Sequence, residues 1–317
     1  MRRKVVFTVI TPVYNGAQYI KETINSVLAQ TQREITEYLV IDDGSTDETP
    51  HILKNYRNHI KVITKQNEGQ AAAINLGLSL AKGKYSIIVN ADDPLISREL
   101  FTRSAEILDS HQEIVLTYPD WVIIDRKGKV VRQIETVEYS KMELVGNFNC
   151  LVGPGGIFRT RIGTEVGGWD PSLRFVPDYK FWLNLSTKGQ FKRIPEILAA
   201  WRTHESSISV GGRSLQMAKE RIFVMEDFLA KHPQNSEIST TALSNAYYHA
   251  ALLTFFDTRV PSRKYLKKSY QLSKKNFRRK NIFVLLFLIL SPLSTMIAKI
   301  TLLHGLLVRV ARKNNLF

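Results

Sequence analysis

The sequence predicts an α/β fold: a mainly parallel β-sheet with helices on both faces, followed by C-terminal helices. Short apolar, β-branched runs alternate with amphipathic stretches through Asn90, and such alternation favours parallel strands joined by crossover helices. The chain is 44% hydrophobic and 23% charged, as in globular proteins. Polar clusters follow the predicted strands, at the sheet edge where α/β proteins bind ligands.

Each element has its own local signal. Residues 5–11 form a β-branched run closed by Pro12, and residues 37–42 form another, closed by Asp43-Gly44-Ser45. Between them, Ile20, Ile24, Val27 and Leu28 lie on one face of a 3.6-residue period, which predicts a helix over residues 17–29. The series continues with a helix over 46–56, a strand at 61–64, a helix over 70–81 and a strand at 85–90.

The rest of the chain divides into three parts. To residue 212 it mixes strands, such as 114–118 and 121–125, with glycine clusters at 153–156 and 167–168 that indicate turns or close backbone approaches. Residues 213–257 read as a helical extension, with helices at 215–231 and 237–256, and residues 258–317 form a basic C-terminal segment with a helix at 262–275. A single cysteine, Cys150, excludes an intramolecular disulfide.

The positive charge of the chain lies at one end. The 317 residues hold 44 Lys and Arg against 29 Asp and Glu, a net charge of +15. Residues 258–317 hold 14 of the basic residues and no acidic ones, so residues 1–257 carry 30 basic against 29 acidic residues. That balance is typical of an ordinary soluble protein and excludes a nucleic-acid-coating role for this part of the chain.

The basic segment also contains an apolar run. Residues 282–298 carry no charge over 17 positions, fewer than the roughly 20 that a membrane-spanning helix needs. Residues 301–312 place leucines on one helical face and arginines on the other, a pattern typical of helices that lie at a membrane surface. We expect attachment to an anionic membrane surface. The alternatives are core helices that pack on the α/β domain and a homodimer interface.

Two acidic clusters follow predicted strands. Asn90-Ala91-Asp92-Asp93 could hold Mg²⁺ or Mn²⁺ against a diphosphate, because these cations need only one or two carboxylates; the alternative is a turn before a helix. Asp42-Asp43-Gly44-Ser45 could contact a nucleoside, or Ser45 or Thr46 could cap the next helix. The chain lacks the glycine-rich phosphate loops of dinucleotide-binding and P-loop proteins.

Further candidates lie later in the chain. Asp178 precedes an apolar helical pattern, so it is either a helix N-cap or a general base. Arg202 and His204 fall in a predicted polar loop, where arginine can pair with phosphate and histidine can bind a metal or titrate.

Six ordered stretches resemble the inverting glycosyltransferases of family 2, which have the GT-A fold. They are TVITPVYNGAQYIKETINSVLAQT, YLVIDDGSTDET, NEGQAAAINLGLSLAKGKY, VNADD, GGWDPSLRFVPDYKFWLNL and WRTHESSIS. The resemblance runs from residue 8 to 209 and implies a catalytic domain over 1–212, with a donor half at about 1–95 and an acceptor half at about 96–212.

The resemblance also implies site residues. Those expected to bind the donor are Thr11, Pro12, Tyr14, Asp43, Asn67, Gly69, Asp93 and Arg202. Asn90 and Asp92 stand at the two ends of the family's metal-binding DxD-type motif, with asparagine in place of its first acid, and His204 is a further expected ligand of Mn²⁺ or Mg²⁺. Asp178 matches the family's catalytic base, and Pro177 replaces the acid that usually precedes it.

The implied function is metal-dependent, inverting sugar transfer from a nucleotide-diphosphate donor, most simply a UDP-sugar, to an acceptor hydroxyl. The expected acceptor is a glycan or a lipid-linked precursor of a cell-envelope polysaccharide. The expected location is cytoplasmic, on the inner face of the cell membrane, and nucleic acid is not an expected partner. Two alternatives remain: a polyprenyl-phosphate sugar synthase, and a non-catalytic GT-A-like binding protein with a basic tail.

Overall fold

The computed structural model describes residues 5–32, 36–204, 215–254 and 259–274. Its strands are β1 (Phe7–Val13), β2 (Thr36–Asp42), β3 (Lys61–Thr64), β4 (Tyr85–Ile88), β5 (Ile114–Ile124), β6 (Val130–Ile134), β7 (Ile157–Arg159) and β8 (Gln190–Arg202). Its helices are α1 (Ile20–Leu28), α2 (Thr49–Lys54), α3 (Gln70–Leu80), α4 (Leu100–Ser110), α5 (Thr160–Glu165), α6 (Pro177–Leu185), α7 (Leu215–Lys231), α8 (Ser236–Thr254) and α9 (Arg259–Leu272).

The strands form one eight-stranded sheet in the order β3-β2-β1-β4-β7-β5-β6, with β8 paired to β5. The first four strands are mutually parallel, β8 is parallel to β5, and β6 and β7 run antiparallel to their neighbours. The α/β fold with a mostly parallel sheet and C-terminal helices is therefore confirmed. Strand β1 lies between β2 and β4, so the loops that follow these three strands meet at one edge.

The sheet has a hydrophobic core on each face. Successive residues of β1 alternate between them: Val9 packs with Ile24 of α1, and Ile10 packs with Ile74 of α3. The second core also includes Val224 of α7. Because side chains on a strand alternate in direction, one buried strand supports both layers. The helical extension thus shares a core with the catalytic sheet.

The extension packs along the chain in sequence order. Helix α8 contacts a short π-helical turn, Met142–Gly146, where the amide Nδ2 of Asn245 donates to the carbonyl of Gly146 at 2.7 Å. Helix α9 packs on α8 through reciprocal hydrogen bonds between Ser244 and Ser269. The domain boundaries expected from the sequence remain predictions.

Most predicted elements exist, although several bounds differ; the helix predicted over 17–29, for example, covers Ile20–Leu28. The predicted strands at 114–118 and 121–125 are one strand, β5, whose register shifts on either side of Asp120. The predicted helix over 46–56 begins only at Thr49. Ser45 and Thr46 do not cap it, because their polar groups bind the loop that follows β1: Asn15 donates its N–H to Ser45 Oγ, and the N–H of Thr46 donates to Asn15 Oδ1.

Within the residues that the structure describes, no helix combines the length and the apolar character that crossing a bilayer requires. The apolar run at 282–298, the amphipathic stretch at 301–312 and the end of the WRTHESSIS stretch lie outside the described residues.

Candidate active site

The first wall of the site is the end of β1. Thr11 is buried and its hydroxyl lies 3.0 Å from that of Tyr38, while Pro12 is buried opposite Ile41 of β2. Tyr14, immediately after the strand, is 51% exposed. Strand β1 therefore ends in an exposed aromatic ring supported by a buried strand, an arrangement suited to stacking a flat ligand group.

Asp43 organises the second wall. Its carboxylate is almost fully buried and accepts hydrogen bonds from the backbone N–H groups of Glu68 (3.1 Å) and Gly69 (2.8 Å) and from Lys65 Nζ (2.8 Å). Gly69 has φ of 92°, a conformation that only glycine adopts readily, and α3 begins at the next residue. Asn67 lies exposed in the loop that Asp43 holds.

Asp92 and Asp93 follow β4 and have different surroundings. Asp93 is buried, and its carboxylate accepts the backbone N–H of Arg202 (2.8 Å) and the side-chain amide of Asn90 (2.9 Å). Burial and the negative charge of Asp92 raise the pKa of Asp93 to about 8. Asn90 in turn accepts a hydrogen bond from Gln70 Nε2. These hydrogen bonds stabilise the turn that follows β4. Helix α4 begins only at Leu100, so Asp92 and Asp93 do not lie at the start of a helix.

Arg202 is the final residue of β8 and is 1% exposed, which corrects its expected place in a polar loop. Its guanidinium donates to the carbonyls of Asp92 (3.0 Å) and Asp125 (3.1 Å) and to the carboxylate of Glu22 (2.7 Å). It also lies 4.8 Å from the ring centre of Tyr19. Each guanidinium nitrogen therefore has a protein acceptor, and the side chain stabilises the turn that contains Asp92.

His204 lies beside Asp92. Its Nε2 is 2.9 Å from Asp92 Oδ2, and its ring packs against Tyr19 with centres 5.0 Å apart. The side chains are 14% and 30% exposed, so the pair faces outward while Asp93 lies beneath it. The structure thus brings together two of the three residues expected to bind a metal, and Asn90 points to Asp93.

The pair fits a divalent cation in its chemistry and spacing. Adjacent ligands of an octahedral Mg²⁺ or Mn²⁺ at 2.0–2.1 Å lie about 3 Å apart, close to the separation of the Asp92 and His204 atoms. Among the described parts of the chain, no group of three or more His, Cys, Asp or Glu side chains forms a complete metal site. Further ligands would have to be water or phosphate oxygens, as is usual for Mg²⁺.

Asp178 lies in the first turn of α6, one residue inside the helix, so it is not the N-cap; Val176 holds that position. Its Oδ1 accepts the backbone N–H of Tyr179 at 2.8 Å. Burial raises the pKa of Asp178 above its usual range, and the positive charge of Arg221 opposes that rise. A partly buried carboxyl with a raised pKa is a suitable proton acceptor.

Asn75 links helix α3 to the segment that precedes α6. Asn75 of α3 donates its amide to the carbonyl of Trp169 (2.7 Å) and accepts the N–H of Trp169 (2.8 Å). Trp169 lies in the segment that leads to Asp178. This double hydrogen bond fixes the segment before Asp178 relative to α3, which begins directly after the loop that Asp43 binds.

The sequence analysis missed several residues of this network: Tyr19, Glu22, Lys65, Gln70, Asp125 and Arg221. Only Lys65 had a local signal, since it directly follows a predicted strand. Glu22 and Arg202 are 180 residues apart, and no local pattern in one sequence predicts such a pairing.

The fold and the site together define an α/β transferase of the GT-A class. Residues 8–158 match the family model described as Glycosyl transferase family 2. The chain is 29% identical over 230 residues to the uncharacterized glycosyltransferase RP339 of Rickettsia prowazekii, covering 71% of each protein. It is 27% identical over 227 residues to a chondroitin synthase of Escherichia coli, covering 70% of this chain and 32% of that one.

Solved structures share the fold at low identity. S. aureus TarS superposes with a TM-score of 0.65 at 19% identity, over 85% of this chain; this chain spans about half (49%) of TarS. TarS 1-349 in complex with UDP-GlcNAc gives a TM-score of 0.61 at 18% identity, covering 88% and 93% of the two chains. The mannosyltransferase PcManGT of Pyrobaculum calidifontis, in complex with GDP-Man and Mn²⁺, gives 0.52 at 16% identity, covering 92% and 87%.

Residues 8–158 therefore form a domain that matches glycosyltransferase family 2, and the chain is a glycosyltransferase with a GT-A-like α/β fold.

Proposed function

We propose that this enzyme transfers a sugar from a UDP-sugar to an acceptor hydroxyl with inversion, in a reaction that depends on a divalent metal. The observation that carries the proposal is the outward-facing pair of Asp92 and His204, 2.9 Å apart above the buried Asp93. A carboxylate and an imidazole at the carboxyl end of β4 suit a metal-bound diphosphate.

The donor would bind where the loops after β1, β2 and β4 meet. Tyr14 would stack on the nucleoside beside Thr11 and Pro12, and Asp43, with Asn67 and Gly69, would shape the opposite wall. Asp93 would contact the donor sugar. The choice of UDP is supported by the TarS complex with UDP-GlcNAc, while PcManGT binds GDP-Man.

Asp92 and His204 would hold the cation directly, and Asn90 would orient the turn through Asp93. A bound Mn²⁺ or Mg²⁺ supplies positive charge for the diphosphate that departs. Arg202 would act by fixing the carbonyl of Asp92 and the carboxylate of Asp93, because its guanidinium is engaged by protein acceptors.

Asp178 would be the general base. Its carboxylate takes the proton from the acceptor hydroxyl as that oxygen bonds to the anomeric carbon, and the bond from that carbon to the diphosphate oxygen breaks on the opposite face. The bonding electrons leave with the diphosphate, and the configuration inverts. The raised pKa of Asp178 supports this role, since a base near the working pH transfers protons most effectively.

For the acceptor we propose a glycan or lipid-linked precursor of an envelope polysaccharide. The similarity to a chondroitin synthase supports a polysaccharide product. The 14 basic residues of 258–317 support a location on the inner face of the membrane. The full chain should sediment with vesicles containing anionic lipid at low salt and be released at high salt, whereas a chain ending at Lys274 should bind less. Equal recovery of both chains in the supernatant would contradict this location.

The donor proposal is tested with a panel of UDP- and GDP-sugars. A UDP-sugar with Mn²⁺ should raise the melting temperature, EDTA should remove the effect, and slow hydrolysis to UDP should follow. A panel in which no nucleotide sugar is bound or hydrolysed with Mn²⁺ would overturn the proposed function. GDP-sugars serve as matched controls for the choice of nucleotide base in the donor.

A further inference from the structure

Helix α7 of the C-terminal extension braces the segment that bears Asp178. The carboxylate of Glu220 accepts the backbone N–H groups of Arg174 (3.1 Å) and Phe175 (2.8 Å), just before α6. Asp227, two turns along the same face, lies 3.5 Å from Lys180 of α6. These contacts hold α7 against the start of α6. The next residue of α7 after Glu220 is Arg221.

The surroundings of Arg221 are unusual. Its guanidinium lies 5.8 Å from the ring centre of Phe148, and Nη1 is 3.4 Å from Nδ1 of His249 on α8. Its Nε is buried and has no hydrogen-bond partner within the described residues. A buried donor without a partner costs free energy, so the position calls for an explanation other than local stability.

A chain of contacts joins Arg221 to Asp178. Phe148 adopts a left-handed backbone conformation (φ 55°) and packs against Tyr179 with ring centres 4.7 Å apart and the rings tilted by 43°. The N–H of Tyr179 donates to Asp178 Oδ1. Arg221 and Asp178 thus adjoin the same group of Phe148 and Tyr179, and the positive charge of Arg221 lowers the pKa of Asp178.

We propose that Arg221 is a positioning residue for the transfer reaction: its buried guanidinium keeps the Asp178 carboxylate ionised and oriented, which makes the helical extension part of the active site. The inference rests on the proposed function of Asp178 as the base. It assigns a role to a residue outside the 8–158 segment that matches the family model.

The other ionisable groups around Asp178 do not supply a permanent positive charge. They are the thiol of Cys150, the phenol of Tyr179 and the imidazole of His249. Cys150 and Tyr179 are neutral or negative, and histidine is charged only in part of the pH range. Arginine alone stays protonated when buried, because burial lowers the pKa of Arg221 from a very high starting value. Without this charge, the hydrogen bond from the Tyr179 N–H would still oppose the effect of burial, but the pKa of Asp178 would rise further.

The test compares pH profiles of kcat for Arg221→Met, Arg221→Lys and Lys188→Met. Methionine fills similar space without charge. In Arg221→Met the acidic limb of the kcat profile should therefore move to higher pH by about one unit or more, with kcat about tenfold lower at pH values below the limb. Activity should recover at high pH. Arg221→Lys should return the acidic limb most of the way to its wild-type pH. Lys188→Met removes an equal charge just after α6, where Lys188 pairs with Glu165, and should leave the limb in place.

An Arg221→Met profile that is lower at every pH but unshifted would overturn the proposal, because it would indicate a purely structural role. A second measurement needs no turnover: the Asp178 carboxyl resonance, assigned by its loss in Asp178→Asn, should titrate at higher pH in Arg221→Met. The same titration in both proteins would also overturn the proposal. A shifted titration in a protein without any transfer activity would instead contradict the proposed function.

Discussion

His204 Nε2 and Asp92 Oδ2 lie 2.9 Å apart although 112 residues separate them in the sequence. The segment after β4 runs beside the end of β8: the N–H of Ala200 donates to the carbonyl of Pro94, and the N–H of Arg202 donates to Asp93. The segment after β4 thus provides the acids, and the segment directly after β8 provides the imidazole.

We expect His204→Ala to weaken Mn²⁺-dependent binding of UDP by roughly 10- to 100-fold, because a metal ligand is lost. Binding without metal should change little. Isothermal titration with and without EDTA measures both values. His111→Ala is the matched control, since His111 is exposed and pairs with Glu113 far from the site in sequence. Equal metal dependence in both variants would contradict the assignment.

Asp178→Asn should abolish transfer while leaving UDP affinity nearly intact. It should also raise the melting temperature at neutral pH. Because the folded-state pKa of Asp178 is raised, the folded protein binds more protons than the unfolded chain between the ordinary and the raised pKa, and stability falls as pH rises through that window. Asparagine removes this penalty. The difference in stability between Asp178→Asn and the wild type should shrink below the ordinary carboxyl pKa. Full transfer activity in the variant would disprove the assignment of Asp178 as the base.

Gly69→Ala and Gly167→Ala form a matched pair. Both glycines have φ near 90°, and no atom lies within 4 Å of an added Cβ at either position. Each alanine should therefore cost about 1–2 kcal/mol of backbone strain. Only Gly69 donates its N–H to Asp43, so only Gly69→Ala should also weaken UDP binding, by about 10-fold. Similar losses of affinity in the two variants would contradict the role of this loop.

Arg202→Met should destabilise the protein by about 1–3 kcal/mol, because the part-buried carbonyls of Asp92 and Asp125 lose their donor. Chemical denaturation measures the loss. Arg103→Met is the control, since Arg103 pairs with Glu196 at the surface and such pairs contribute about 0–1 kcal/mol. A stable Arg202→Met protein that fails only in turnover would indicate a direct contact with the diphosphate.

The sequence supports the fold well where side-chain patterns are local. Strand β3 has the predicted bounds because its apolar run is short and flanked by polar residues. Strand β8 was not predicted, because Lys192, Arg193 and Glu196 interrupt its pattern. Arg193 belongs there because its guanidinium pairs with the buried Asp120 of β5, and that partner is visible only in the folded chain.

The site was predicted unevenly for the same reason. The acids that follow β2 and β4 stand out because the carboxyl ends of parallel strands converge. The direction of each side chain does not follow from position: Arg202 was expected to face the diphosphate but points to Glu22. The packing of the helical extension, such as that of Arg221 against Phe148, follows from no local motif.

The two hydrogen bonds between Asn75 and Trp169 have a consequence for engineering. Along α3, Asn75 lies about 9 Å from Gly69, so one rigid helix spans from the donor loop to the segment of the base. A chimaera that exchanges residues 96–212 for those of a relative would lose this link unless the incoming segment keeps a turn at position 169 that pairs with the amide of Asn75. Acceptor specificity is therefore best exchanged as a module that includes α3 and α7.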